Sequence, residues 1–336
     1  MGRCSYFGGA FARFLPEKVS YMKVFFVVLS MFLLSLSASA QPPELTPEQR
    51  ATLDNYQDTI GMLSFLVLRD TSAEMRFVAT KKLIKTLVQA LRTENSFAYK
   101  FPLVKNISIQ YPADSSFRIF TWQLFVDDEH YQYFGAIQRN TSQLELFPLV
   151  DRSEQFTDLQ ATTAPTDWYG ALYYNIHQFD TPTGRRYLLF GFDGYRFFDK
   201  RKVIEVMDFD DMGQPRFGHY PTFQQVDPKT LEPTDTLRRV VLEYSAESSV
   251  GSNFNPVEQA IVHDFLVEMG NPYNKQLSSY PDGTFIGYFA GPDGVWTQKP
   301  RMFTTTVDEA PRDQPVLGTE GSREKRDIFG RRIKDD

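Results

Sequence analysis

Hydrophobic and polar positions change period twice along this chain. From Pro47 to Leu91 the apolar residues recur every three or four positions, as Leu53, Tyr56, Ile60, Leu63, Phe65 and Leu66, and then as Phe77, Ile84, Leu87, Val88 and Leu91. That spacing predicts two amphipathic helices. Thr46-Pro47-Glu48-Gln49 supplies an N-cap, a proline at the first helical turn and a glutamine placed for a capping box, so the first helix starts there and runs to about Leu68. Thr71-Ser72-Ala73-Glu74 is a second cap, and the expected product is a helical hairpin over 41–95.

From Phe97 the period drops to two, in short aromatic and β-branched runs divided by Pro, Gly, Asp and Asn. Strands are expected near 97–101, 105–111, 116–126, 130–138 and 143–148, and again near 238–244, 249–254, 258–266, 283–290 and 294–297. Between them lies the densest block, Asp167 to Phe209. In Trp168 to Phe179 alternate residues put Trp168, Gly170, Leu172, Tyr174 and Ile176 on one face and Tyr169, Ala171, Tyr173, Asn175, His177 and Phe179 on the other. Apolar rings on both faces predict a strand covered on both sides. Turns are expected at Asp180 to Gly184, Asp193-Gly194, Asp210 to Gly213 and Gly291-Pro292-Asp293-Gly294. The reading is a mainly β (α+β) protein: an antiparallel sandwich, barrel-like or propeller-like array over 96–303, preceded by the helical hairpin.

Tyr133-Phe134-Gly135-Ala136-Ile137 and Trp168-Tyr169-Gly170-Ala171-Leu172 share the order aromatic, aromatic, Gly, Ala, aliphatic, which suggests two hairpins of common design. The chain beyond Thr304 is charged, contains Pro311 and Pro315 and keeps Phe329 as its one aromatic, so a disordered tail is expected there.

The N-terminus carries an address. Lys23 precedes an apolar run from Val24 to Leu36 and then Ala38-Ser39-Ala40, the pattern of a secretory signal peptide over 1–40 with a small-residue cleavage site. The run is too short to span a bilayer, so export followed by cleavage near Gln41 is expected, leaving no integral membrane segment. Met22 stands at the natural start of this signal, which makes 1–21 either an unusually long n-region or a mis-assigned start. The single cysteine, Cys4, lies in that segment, so the exported chain would rely on core packing without disulfides. This places it in the periplasm or at the cell surface.

A net charge of −6 argues against nucleic acid as a partner, because counterion release needs a basic face. The four histidines show no metal-binding spacing, G-x-S-x-G is absent, and Asp208, Asp210 and Asp211 read as a turn before Gly213; no cofactor or metal is expected. The unusual quantity is aromatic content, with 30 Phe and 17 Tyr. Trp122, Trp168, Tyr169, Tyr195 and Trp296 are the candidate binding residues, as a stacking platform for a sugar or an apolar partner, unless they fill a thick core. Within the central block the polar turns are better placed for function than the strands.

DSSFRIFTWQ at 114–123, YFGAIQ at 133–138, DWYGALYY at 167–174, YLLFGFDGY at 187–195, RKVIEVMDF at 201–209 and RVVLEYS at 239–245 resemble a group of secreted or periplasmic proteins of Bacteroidota bacteria without assigned activity. The resemblance implies an envelope location and transfers no site residue. Three readings follow: a non-enzymatic β module binding an envelope protein, glycan or lipid; a hydrolase of envelope or extracellular polymers, with His177 near Glu205 or Asp208 as one arrangement; and a structural component of an envelope assembly. A large apolar patch on the helical hairpin would favour the last.

Overall fold

The computed structural model describes residues 1–2, 44–271, 276–300 and 302. The expected signal peptide, apart from residues 1–2, and the expected disordered tail lie outside the described residues. Helix α1 spans Pro47–Arg69 and α2 spans Ala73–Leu91. The capping box forms as its residues predict: the Thr46 N–H donates to Gln49 Oε1 at 2.9 Å, and the Gln49 N–H donates to Thr46 Oγ1 at 3.1 Å. Ser72 caps α2 through the Met75 N–H.

The strands form three sheets. Sheet one is a meander of β1 (Ser108–Gln110), β2 (Phe117–Asp127), β3 (His130–Arg139) and β4 (Leu146–Val150). Sheet two pairs β5 (Leu172–Thr181), β6 (Gly184–Asp193) and β7 (Asp199–Phe209) in sequence. β11 (Arg239–Ser245) closes its far side, and the short β8 (Pro215–Phe217) also pairs with β7. Sheet three contains β9 (Phe223–Val226), β10 (Pro233–Leu237), β12 (Ser252–Asn255), β13 (Ala260–Gly270), β14 (Leu277–Ala290) and β15 (Trp296–Lys299). Its order is β10-β9-β15-β14-β13-β12, with one parallel pairing, β15 to β9. The fold is therefore mostly β and antiparallel, with the helices first and no sheet closed into a barrel.

The four elements stack in chain order. α1 and α2 bury Leu53, Ile60, Leu63, Leu83 and Leu87 against Phe120, Trp122 and Leu124 of β2. The opposite face of sheet one, with Phe117, Ile119, Tyr133 and Ile137, packs on Trp168, Tyr173, Ile176, Leu189 and Met207 of the next layer. The other face of sheet two, with Leu188, Phe190, Ile204 and Val206, packs on Phe223, Ile261, Tyr288 and Trp296 of sheet three. Sheets one and two are thus buried on both faces, which is why their strands carry rings at odd and even positions alike.

Three local expectations change. The face assignment of β5 breaks at a bulge between Tyr173 and Asn175. After it Ile176 joins Tyr173 toward sheet one, while Tyr174, His177 and Phe179 face sheet three. The extra residue shifts the alternation by one. No strand forms over 97–101; a 3-10 turn covers Ser96–Ala98 instead. The reason is the buried Arg118 guanidinium, which donates Nη1 to the Tyr99 carbonyl at 2.6 Å and Nη2 to the Ser96 carbonyl at 3.0 Å, so these acceptors are satisfied without a strand neighbour. Finally, the two aromatic-aromatic-Gly-Ala segments are not equivalent. Gly135 sits inside β3, where a Cβ would lie 2.7 Å from the Phe120 carbonyl oxygen. Gly170 precedes β5 at φ +83°, and its Cβ would lie 2.4 Å from Asp151 Oδ1. One glycine admits a neighbouring strand; the other makes a bend beside a carboxylate.

Candidate functional site

Sheets one and two meet at one end around the connection from β6 to β7. Asp193 ends β6, Gly194 and Tyr195 turn the chain, and β7 resumes at Asp199. Opposite them stand the β2–β3 turn with Glu129, His130 and Tyr131, and the segment after β4 with Glu154, Phe156, Thr157 and Leu159. Together they line a cleft of about 480 Å³.

The cleft floor is held by the buried Asp193, with the half-buried Asp151 nearby. Asp193 Oδ1 accepts the Tyr195 N–H at 2.8 Å and the Tyr133 hydroxyl at 3.2 Å, and Oδ2 lies 3.5 Å from the Tyr169 hydroxyl. The Gly194 N–H in turn donates to Tyr133 Oη at 2.5 Å. Below it, Asp151 accepts the Tyr133 N–H at 2.7 Å and the Ser153 N–H at 2.8 Å. Burial pushes the Asp193 carboxyl above the ordinary carboxylate range, partly offset by the Tyr195 N–H and the Arg201 charge. It lifts Asp151 in the same direction, against the Ser153 and Tyr133 N–H groups. Both tyrosine hydroxyls are raised as well, by burial first and then by the Asp193 charge. Asp193 and Asp151 therefore act as fixed acceptors that shape the backbone around them.

The rim carries rings and cations. Tyr195 adopts φ +45°, an uncommon conformation for a residue with a side chain. Its ring lies against two guanidinium groups, with Arg201 Cζ 3.3 Å and Arg196 Cζ 4.6 Å from the centroid. Arg201 is anchored from behind by Glu243, to which it donates Nε at 2.9 Å and Nη2 at 2.7 Å. Lys200 Nζ donates to the Gly194 carbonyl at 2.9 Å and to that of Arg196, and stands 5.2 Å from the Tyr131 ring. His130 Nε2 and Glu154 Oε1 pair across the mouth at 2.9 Å. Most of the charges are thus satisfied within the site. What the cleft offers a ligand is a set of positioned donors, acceptors and ring edges.

No family model matches this sequence, and no curated protein or solved structure is similar to it. The site is accordingly read from its own chemistry.

The structure distributes the five candidate aromatic residues among separate layers. Trp122 stacks on Phe134, at 5.8 Å and 14°, between the helices and sheet one. Trp168 is fully buried between sheets one and two, its Nε1 donating to Tyr173 Oη at 2.8 Å. Trp296 lies between sheets two and three with His177, Phe179 and Phe254 edge-on to it. Only Tyr169 and Tyr195 converge, through Asp193. Sequence reasoning pointed to the Asp193-Gly194 turn but not to Glu129, His130 and Glu154, because the pairing of two distant turns with it is a tertiary fact. The arrangement of His177 with Glu205 does not form: His177 faces sheet three, stacked on Phe254 at 3.5 Å, whereas Glu205 faces sheet one. Asp208 is engaged by Arg216, and Asp210 Oδ1 accepts the Met212 and Gln214 N–H groups of its turn. Among the described residues no three His, Cys, Asp or Glu side chains gather within reach of a metal ion, and no helix is long and apolar enough to cross a membrane.

A second buried cluster lies in the same interlayer space. Glu205 and Arg239 are both fully buried; Arg239 donates Nε at 2.9 Å and Nη2 at 2.6 Å to Glu205 Oε2, and Nη1 at 2.7 Å to the Leu159 carbonyl. The Tyr173 hydroxyl donates to Glu205 Oε1. Through Leu159 this ion pair fixes one wall of the cleft from inside. A wider groove of about 1040 Å³ runs over sheet three between the β9–β10 hairpin and β14. Its lining includes Leu231, Phe265 and Ile286 with Asp227, Asp235 and Lys299, and no ionisable side chain among these is buried.

Proposed function

We propose that this chain is an exported, non-enzymatic β module of the cell envelope that holds a polar ligand, best matched by a glycan, in the cleft beside Asp193 and Gly194. The observation that carries this reading is the strained Tyr195 ring held at the rim by Arg201 and Arg196, over a floor of fixed carboxylate acceptors. Positive φ at a tyrosine is maintained only where the surroundings demand it, and here it presents an aromatic edge beside hydrogen-bonding groups. Sugars are bound by that combination of ring contact and directed polar groups. A lipid chain fits less well, since Glu129, His130, Ser153, Glu154, Asp193, Arg196 and Arg201 line most of the cleft. The internal pairing of His130 with Glu154 and Arg201 with Glu243 favours a neutral polyol over an ion. Export rests on Lys23, the Val24 to Leu36 run and Ala38-Ser39-Ala40, together with the absence of cysteine from 41–336. The sequence resemblance to Bacteroidota envelope proteins points the same way.

Calorimetric titration of the purified chain with soluble fragments of envelope polysaccharide tests the proposal. Tyr195→Ala should weaken binding about tenfold, the loss of one ring contact of ~1–1.5 kcal/mol, and the exposed Met212→Ala should leave it unchanged. Equal affinities for wild type and Tyr195→Ala would exclude this cleft.

A second reading rests on the His130–Glu154 pair at the same mouth, an arrangement that could serve hydrolysis of an envelope polymer. It requires turnover of a bound fragment that His130→Gln abolishes, whereas simple binding requires none.

A further inference from the structure

β12 is held on two sides, and by little on either. It is the last strand of sheet three, four residues long, and it pairs only with β13, as Ser252↔His263, Asn253↔Val262, Phe254↔Ile261 and Asn255↔Ala260. From sheet two it receives the Tyr174 hydroxyl on the Ser252 carbonyl at 2.7 Å, the Asn175 amide on Asn253 Oδ1 at 2.6 Å, and the His177 ring stacked on Phe254. Behind this pairing are two polar atoms that bond to nothing. Ser252 and His263 stand opposite each other, 5% and 4% exposed, and neither Ser252 Oγ nor His263 Nε2 has a hydrogen-bond partner or contact with solvent.

The other ring nitrogen decides where the proton sits. His263 Nδ1 lies 2.8 Å from the Asp264 carbonyl, which can only accept, so Nδ1 carries the hydrogen and Nε2 is bare in the neutral ring. A second proton would create a charged donor sealed from water with no acceptor bonded to it. The groups facing this space from the surrounding strands offer no counter-charge. β14 brings the Tyr288 ring, 5.8 Å away, its hydroxyl bonded to Gln225. β5 brings Tyr174 and His177, β11 brings Tyr244, and β7 brings Lys202, a further cation, 4.6 Å from the Tyr174 ring. The carboxylate that acts on His263 is that of Asp264, which already accepts the Gly251 N–H at 2.6 Å. Burial pushes the His263 imidazole below the ordinary histidine value, against the carbonyl and charge of Asp264, and it lowers His177 as well.

We infer that β12 is an acid-released strap: protonation of His263 displaces it, opens Nε2 to water and bares the edge of β13. β12 is the piece that yields because β13 is bound to β14 along its whole length, from Ala260↔Phe289 to Gly270↔Leu277. Above the ordinary histidine value of ~6.5 the closed strap is unopposed. As pH falls through that value the open form takes up a proton that the closed form excludes, so opening gains up to about tenfold for each pH unit until the depressed value is reached.

Hydrogen–deuterium exchange of the purified chain from about pH 7.5 to about pH 5, corrected for the intrinsic pH dependence of exchange, tests the strap. Protection over 251–264 should fall at least about tenfold across that range while that of β2 and β3 stays constant. His263→Gln, which does not titrate, should cut the loss to under about threefold. Tyr174→Phe removes one tether and should raise opening about fivefold at the upper pH with the pH dependence intact. The inference is overturned by protection over 251–264 that ignores pH, by an undiminished loss in His263→Gln, or by a parallel loss in β2 and β3, which is general acid unfolding. A Tyr174→Phe protein with wild-type protection overturns it too, since the strap would then not be held from sheet two.

Discussion

Removing Arg239 gives the sharpest test of how the middle of this molecule is held. Glu205 and Arg239 have no exposed surface, and Glu205 Oε2 receives both Nε and Nη2 of the guanidinium. Arg239→Met keeps the volume but leaves a carboxylate in the interlayer core with only the Tyr173 hydroxyl as donor. Breaking a buried pair on one side costs about 3–5 kcal/mol. Glu205→Met strands the guanidinium instead and should cost about the same. The double variant removes both charges; what remains is the lost acceptor of Tyr173 and the lost donor of the Leu159 carbonyl, each about 1 kcal/mol, so it should cost roughly 1–3 kcal/mol, far below the sum of the singles. Urea unfolding of the four proteins measures the cycle, and each single should also lower the melting temperature by about 10 °C. Additivity within about 0.5 kcal/mol, or a single that costs under 1 kcal/mol, would refute the reasoning, because it would mean that water reaches the pair.

Two further outcomes follow from the cleft. Burial lifts the folded-state pKa of the Asp193 carboxyl above its unfolded value, so its contribution to stability is full below the ordinary carboxylate range and is lost as pH rises through the raised value. Asp193→Asn removes that dependence, and its unfolding free energy relative to wild type should improve as pH rises above the ordinary carboxylate range, about 4; a constant difference would contradict the burial of this group. Gly170→Ala should cost about 2–4 kcal/mol in urea unfolding, since φ +83° and a Cβ 2.4 Å from Asp151 Oδ1 combine strain with a clash.

Much of this architecture is legible in the sequence where local physics decides it. Thr46 to Gln49 specify a helix start by themselves, and the rings on both faces of the central strands announce a sheet covered twice. The short β8, β9 and β10 escaped, because Pro215–Phe217 is three residues long and Phe223–Val226 and Pro233–Leu237 carry Gln, Thr, Asp and Pro where an alternating apolar pattern would be sought. The strand expected at 97–101 failed through a single distant side chain, Arg118. At the site, Asp193-Gly194 was visible as a turn, but its partners come from residues 129–131 and 153–159, which only the face-to-face packing of two sheets brings near. Trp122, Trp168 and Trp296 share a residue type and nothing else, since alternation along a strand does not say which of three interlayer spaces a ring will enter.

The stacking of layers in chain order has a consequence for how the molecule is made. A nascent chain emerging from its N-terminus can lay the helical pair under the first meander, and that meander under β5 to β7, with each finished slab acting as the template for the next. The exception is β11, which returns to the edge of β7 after β9 and β10 have been committed to the last slab. It delivers Arg239 to Glu205 as it docks, so the ion pair closes only once β11 has returned to β7. The single out-of-order strand thus works as a latch: an assembly checkpoint written into connectivity, set at the wall of the cleft whose shape depends on it.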